Sequence, residues 1–236
     1  MDVYYTSLME GHHNIRSWVD EPEPLSKKYL DCFFESKNKN SSLAFGRCPA
    51  IRDYVNNVFV ITSPTDYELT WDGSDITSLL FNQDFYNKSL IIRDASIGFI
   101  SYQQPFLHFF AEESVLLEII PAHFHDSEFA RKMLVLPGSY DIGQHFRRLE
   151  CACKFREKGT IKIKRGDVLY YVRLHTEKSI DLKRFFMTEA MQSLSRSITD
   201  LRSTVSGYKP LSFYYNIFKK NNLKKAYLRL IRENLL

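Results

Sequence analysis

The chain has 236 residues, 44% of them hydrophobic and 14% aromatic, including 18 Phe and 14 Tyr. That much bulky apolar side chain excludes a disordered body and allows one large domain or a domain with appendages. No apolar run approaches the roughly 18 to 20 residues that cross a bilayer, and residues 1–10 lack the basic start and apolar middle of an export signal. The expectation is a protein that is neither secreted nor membrane-bound, its four cysteines (Cys32, Cys48, Cys151 and Cys153) reduced.

The formal charge of +4 is local in origin, because residues 209–236 hold seven Lys or Arg against the single acid Glu233, which leaves the rest of the chain slightly acidic.

Residues 1–23 are polar and mixed, and the prolines of Asp20-Glu21-Pro22-Glu23-Pro24 enforce an extended path, so a surface arm is expected there. Leu25, Tyr29, Cys32 and Phe33 share one helical stripe that Ser26 is placed to cap; this predicts a short amphipathic helix, ended by the solvated run 36–42, within an N-terminal arm of residues 1–47. From Val58 the chain turns to short segments rich in β-branched and aromatic residues (VFVITS, YELTW, ITSLLFN, SLIIRD, IGFISYQ, FLHFF, SVLLEII). Breaks of Asp, Gly, Asn and Pro about every 8 to 12 residues are the pattern of an all-β sandwich or barrel. Asp72-Gly73 is the best hairpin signal.

After Pro121 a loop, AHFHDSEFAR, leads to the strand 133–136, a Pro-Gly turn at 137–138 and the segment 146–155. There Leu149, Cys151, Cys153 and Phe155 share one face and Arg148, Glu150 and Lys154 the other, as in a half-buried strand. A similar strand at 160–164 is expected to return through a hairpin turn at Gly166-Asp167 into VLYYVRLHT, with a last strand at 180–186. Beyond Met187 the period becomes helical, most clearly in 223–236. The expected fold is mainly β: a β-clip or jelly-roll-like body over 48–186, the arm before it and a helical basic extension over 187–236 after it.

Three landmarks in the central region 115–174 fall in a familiar order: an apolar strand ending in Pro121, the turn Pro137-Gly138-Ser139-Tyr140-Asp141-Ile142-Gly143, and Arg165-Gly166-Asp167 followed by an apolar strand. This region, about a quarter of the chain, resembles the deoxyuridine triphosphatase fold, a β-clip domain that usually forms homotrimers with shared sites. The resemblance implies self-association, with a trimer favoured. It also implies a role for Asp141 in activating water, and positions for Tyr140, Gly143, Gln144 and His145 beside a nucleoside. The departures are substantial. Ala122-His123-Phe124-His125 stands where the family has its phosphate-holding Arg-Ser-Gly, Gln144-His145-Phe146 replaces Tyr-Arg-Gly, and no glycine-rich C-terminal arm is present. Separately, CPAIRDYVNNVFVITSP, PGSYDIG and GDVLYYVRLHT resemble proteins of large tailed phages of marine bacteria, a family with no assigned activity; this implies a virion or the host cytoplasm as the setting and virion proteins as partners.

Each candidate site has two readings. Asp141 is a general base if a nucleotide packs on it, with Mg²⁺ brought by the substrate, or a residue that caps its own turn through backbone N–H groups. His123 and His125, with Asp126, His145, His108 or Glu128, would make a metal site, or else surface and hydrogen-bonded histidines. Cys151 and Cys153 are core residues unless Cys32 and Cys48 converge on them to hold zinc. Arg165-Gly166-Asp167 is read as a turn and not as an adhesion signal.

In the tail, Lys219, Lys220, Lys224, Lys225, Arg229 and Arg232 alternate with Phe213, Tyr214, Tyr215, Phe218 and Tyr227. This suits nucleic acid or an acidic partner, and equally a helix that packs its aromatics on the body and leaves its lysines in water. The loss of the phosphate ligands favours a non-catalytic binding or structural protein with no cofactor. The alternatives are a deoxynucleoside triphosphate pyrophosphatase using Asp141, and a nucleic-acid-binding protein acting through its tail.

Overall fold

The structure, a computed structural model, describes residues 1–9, 21–27, 48–78, 89–195 and 209–236. Its strands form three sheets. In the first, β14 (Asp181–Met187), β1 (Asp2–Met9), β7 (Phe99–Ala111), β11 (Arg148–Phe155) and β9 (Met133–Leu136) lie side by side, and β6 (Leu90–Asp94) also pairs with β7. The second runs β10 (Gly138–Asp141), β8 (Leu116–Pro121), β13 (Val168–His175), β3 (Val58–Thr62), β2 (Glu23–Pro24). A small third sheet holds β12 (Gly159–Ile163), β4 (Tyr67–Trp71) and β5 (Ile76–Thr77).

The fold is mainly β, as the spacing of apolar and turn residues predicts. All three sheets contribute to one core, in which Phe59, Ile61, Leu117 and Ile119 meet Ile100, Phe109, Leu149 and Phe155, with Leu69 and Ile161 from the third sheet. β11 buries Leu149, Cys151, Cys153 and Phe155 in strict alternation. Burial of this surface is the main force holding the sheets together.

Both outer faces are also covered. Helices α3 (Leu211–Lys220) and α4 (Leu223–Glu233) pack Phe218, Tyr227, Leu228 and Ile231 against Tyr4, Phe110, Phe146 and Phe185 of the first sheet and its connections. Helix α1 (Pro49–Val55) covers the second sheet with Val55 against Val58, Val60, Ile120 and Tyr171. A short helix α2 (Glu128–Lys132), capped by Ser127 Oγ accepting from the Ala130 N–H, occupies the loop after Pro121.

Three expectations are corrected. The N-terminal segment begins as an interior strand and not as a surface arm: β1 lies between β14, to which it is parallel, and β7. Val3 and Tyr5 enter the inter-sheet core while Tyr4 faces the helices, and a strand buried on both faces lacks the apolar–polar alternation that announces a strand. Secondly, Gly166-Asp167 does not close a hairpin. β12 pairs with β4 and β13 with β3, so two paired chains cross from one sheet to another at a shared corner. Gly166, at φ +85°, makes the bend there, with its N–H on Ser63 O (2.9 Å) and the Ser63 N–H on Asp167 O (2.8 Å). Thirdly, α1 and α2 stand where no helix is expected.

Asp72-Gly73 does turn β4 into β5, and the Asp72 carboxylate accepts from the Ser74 and Asp75 N–H groups. These hydrogen bonds hold its pKa down at about 2. Of the helix expected at 25–35, residues 25–27 are helical and the remainder lies outside the described residues.

Candidate functional site

Strand β10 pairs with β8 from Gly138 opposite Ile119 to Asp141 opposite Leu116, and the chain then crosses to Val115, whose carbonyl accepts the Ile142 N–H at 2.9 Å. This places the Asp141 carboxylate, in a residue only 8% exposed, between its own turn and the segment 114–115. Oδ1 accepts the N–H groups of Gly143 (2.8 Å) and Val115 (3.1 Å). Oδ2 accepts Gln144 Nε2 (2.5 Å) and the Ser114 hydroxyl. Two donors on each oxygen fill the acceptor sites of an ionised carboxylate. The arrangement is that of a turn-capping acceptor. No protein-family model, curated protein or solved structure matches this chain. The site is therefore argued from its own geometry.

Gly143 is required by proximity: a Cβ there would stand 2.0 Å from the Glu113 carbonyl oxygen. Its place in the motif is thus explained by backbone packing without a nucleoside. Tyr140 points inward, 6% exposed, with the Arg147 guanidinium 5.3 Å from its ring centroid, and burial pushes its hydroxyl up to about 12. Gln144 is spent on Asp141. His145 is buried among the rings of Tyr140, Tyr214 and Tyr215, with centroids 6.1 to 6.4 Å away.

The same turn seats α3. The Asp141 N–H donates to the Tyr215 hydroxyl at 2.8 Å. Phe146, fully buried, lies 4.2 Å from the Tyr227 ring of α4 and also touches His108, Phe110 and Phe185. Ser114, Val115 and Tyr215 are the members of this network that local sequence patterns do not tie to Asp141. They stand 27, 26 and 74 positions from it.

The histidine-rich loop is tied down by a tyrosine. Tyr171 Oη sits 2.6 Å from His125 Nδ1 and accepts the Phe124 N–H at 3.1 Å, while His123 is exposed. Asp126 pairs with Arg131 (2.9 Å) and Glu128 with Lys132 (2.7 Å), and His108 and His145 lie apart in the layer under the helices. Among the described residues no three His, Cys, Asp or Glu side chains converge as metal ligands would. Cys151 and Cys153 are fully buried core residues, and burial pushes the Cys151 thiol up. Cys48 begins α1 elsewhere, and Cys32 lies outside the described residues.

The tail aromatics Tyr214, Phe218 and Tyr227 are buried and Tyr215 is held by Asp141, whereas Lys219, Lys220, Lys225, Arg229 and Arg232 are exposed and Lys224 is half-buried. Arg232 pairs with Glu112 (2.6 Å) and Arg229 with Glu233 (4.0 Å). Among the described residues no helix is long and apolar enough to cross a membrane.

Proposed function

We propose that this is a non-catalytic binding or structural protein, set in a tailed phage, that uses a hydrolase-like turn as an assembly joint. The observation that carries the reading is the occupied Asp141 carboxylate: both oxygens are engaged by two donors each, and Tyr215 of α3 holds the backbone beside it. Two of the positions at which the chain departs from the deoxyuridine triphosphatase pattern, His145 and Phe146, are ones against which the helical layer packs. A substrate above that turn would meet the chain's own helix. Self-association, as a trimer, and incorporation into the virion belong to the same reading.

Pyrophosphate release from deoxyuridine triphosphate with Mg²⁺, compared between the wild type and Asp141→Asn, tests it. No rate above a protein-free control is expected from either. A rate that Asp141→Asn abolishes overturns the proposal. Quantifying the chain by mass spectrometry in purified virions and in infected-cell lysate tests the structural role: stoichiometric presence in virions supports it, and confinement to the lysate opposes it.

A further inference from the structure

Helices α3 and α4 are joined by the turn Asn221-Asn222, with Asn222 in the left-handed region at φ 52°. The turn brings the end of one helix to the start of the next, and with them Lys219, Lys220, Lys224 and Lys225. Among the described residues none of these four has a carboxylate within ion-pair distance, whereas β-body cations such as Arg93, Arg147, Lys178 and Lys183 do. Lys224 and Lys225 also occupy the first turn of α4, where no acidic residue stands and where the positive end of the helix dipole opposes them. Four cations are thus gathered against their mutual repulsion and against the helix, with no carboxylate among the described residues paired to them. The groove beside them, about 420 Å³ and lined by Glu112, Lys225, Leu228, Arg229, Arg232 and Glu233, is not the same kind of surface, because its arginines are already neutralised by its glutamates.

We propose that this lysine corner is a binding surface for the phosphodiester backbone of nucleic acid. It goes beyond the role assigned to the β body and stands whether or not that role holds. The nearby aromatics decide the mode. Beside the lysines Phe218 and Tyr227 are buried, and the half-buried Phe213 and Tyr215 stand in the first half of α3, away from the corner, so bases find no stacking platform next to it. Recognition is therefore through phosphates, indifferent to sequence and no tighter for a single strand than for a duplex.

The test is fluorescence anisotropy with a labelled 20-base-pair duplex, and with a single strand of the same length, across 50 to 200 mM salt. Four phosphate contacts give a log–log salt slope of about −3.6 on duplex, or a loss of about 10²-fold over that range. The variant Lys219→Ala/Lys220→Ala/Lys224→Ala/Lys225→Ala is expected to bind at least tenfold more weakly with an unchanged circular dichroism spectrum. Arginine at the same four positions is expected to retain binding. Three results overturn the proposal: salt-independent binding, undiminished binding by a folded alanine variant, or capture of polyglutamate but of neither nucleic acid at 50 mM salt, which assigns the corner to an acidic protein. A single strand that binds more tightly than the duplex overturns the phosphate-only mode.

Discussion

Replacing Asp141 by alanine leaves four donors without their acceptor, and the four do not cost the same. Ser114 is exposed and Gln144 half-buried, so the hydroxyl and the amide turn to water. The Val115 and Gly143 N–H groups are buried and fixed by the backbone, so each is left unsatisfied at about 1 to 3 kcal/mol. The expected loss is about 2 to 6 kcal/mol, a large share of the roughly 5 to 15 kcal/mol that holds a domain folded. Asparagine behaves differently. Its remaining oxygen serves the two N–H groups while its amide donates to Ser114 Oγ and to a rotated Gln144, so Asp141→Asn costs only about 1 kcal/mol, from the lost charge assistance. Urea unfolding read by fluorescence separates the two: a much lower midpoint for alanine, a small shift for asparagine, and the same slope for both. A carboxylate kept for catalysis behaves in the opposite way, since removing a strained functional group commonly stabilises. An alanine variant within about 0.5 kcal/mol of wild type refutes the capping role.

Other expectations follow from the same geometry. Gly143→Ala forces the Glu113 carbonyl away and is expected to cost at least about 2 kcal/mol, read as a lower melting temperature. Phe146→Ala opens a cavity under α4 and is expected to cost about 3 to 5 kcal/mol, with protease sensitivity appearing first at the C-terminal helices; cleavage elsewhere first argues against its anchoring role. Burial pushes the Glu150 carboxyl up, but Arg147 and Arg93 outweigh it and hold its pKa below the usual value. Its contribution to stability is therefore fully present above the ordinary carboxylate range and is lost as pH falls through the lowered folded value. The stability gap between wild type and Glu150→Gln is expected to close on acidification, and a gap constant down to pH 3 contradicts this. Iodoacetamide on the folded protein, followed by peptide mapping, is expected to label Cys48 and spare Cys151 and Cys153 until denaturant is added.

The segments of β11 and β13 and the turn at Asp72-Gly73 are legible in the sequence, because alternation and turn chemistry are local. Partner choice is not local. Nothing near Val3 or Tyr5 names Leu182 and Arg184 as their partners, and nothing at Gly166 says that β12 and β13 belong to different sheets. The helix α1 is hidden by its own brevity, with Val55 its one buried side chain. At the candidate site, the Pro-Gly-Ser-Tyr-Asp turn is readable as a turn with an acceptor in it. Whether that acceptor is free or occupied depends on Ser114, Val115 and Tyr215, which only the fold brings to it.

The parallel pairing of β1 with β14 sets the order in which the chain can mature on a ribosome. Asp2 pairs with Asp181, so β1 must wait for the synthesis of nearly 180 further residues before that edge can close. At translation rates of about 5 to 20 residues per second the wait is roughly 10 to 35 seconds. Throughout it, the hydrogen-bonding edge that β14 will cover stays open to neighbouring nascent chains, and Tyr4 lacks the helical cover that α3 and α4 supply. A holdase that shelters β1 during synthesis is expected to raise the yield of folded protein more than one that acts after β14 has formed.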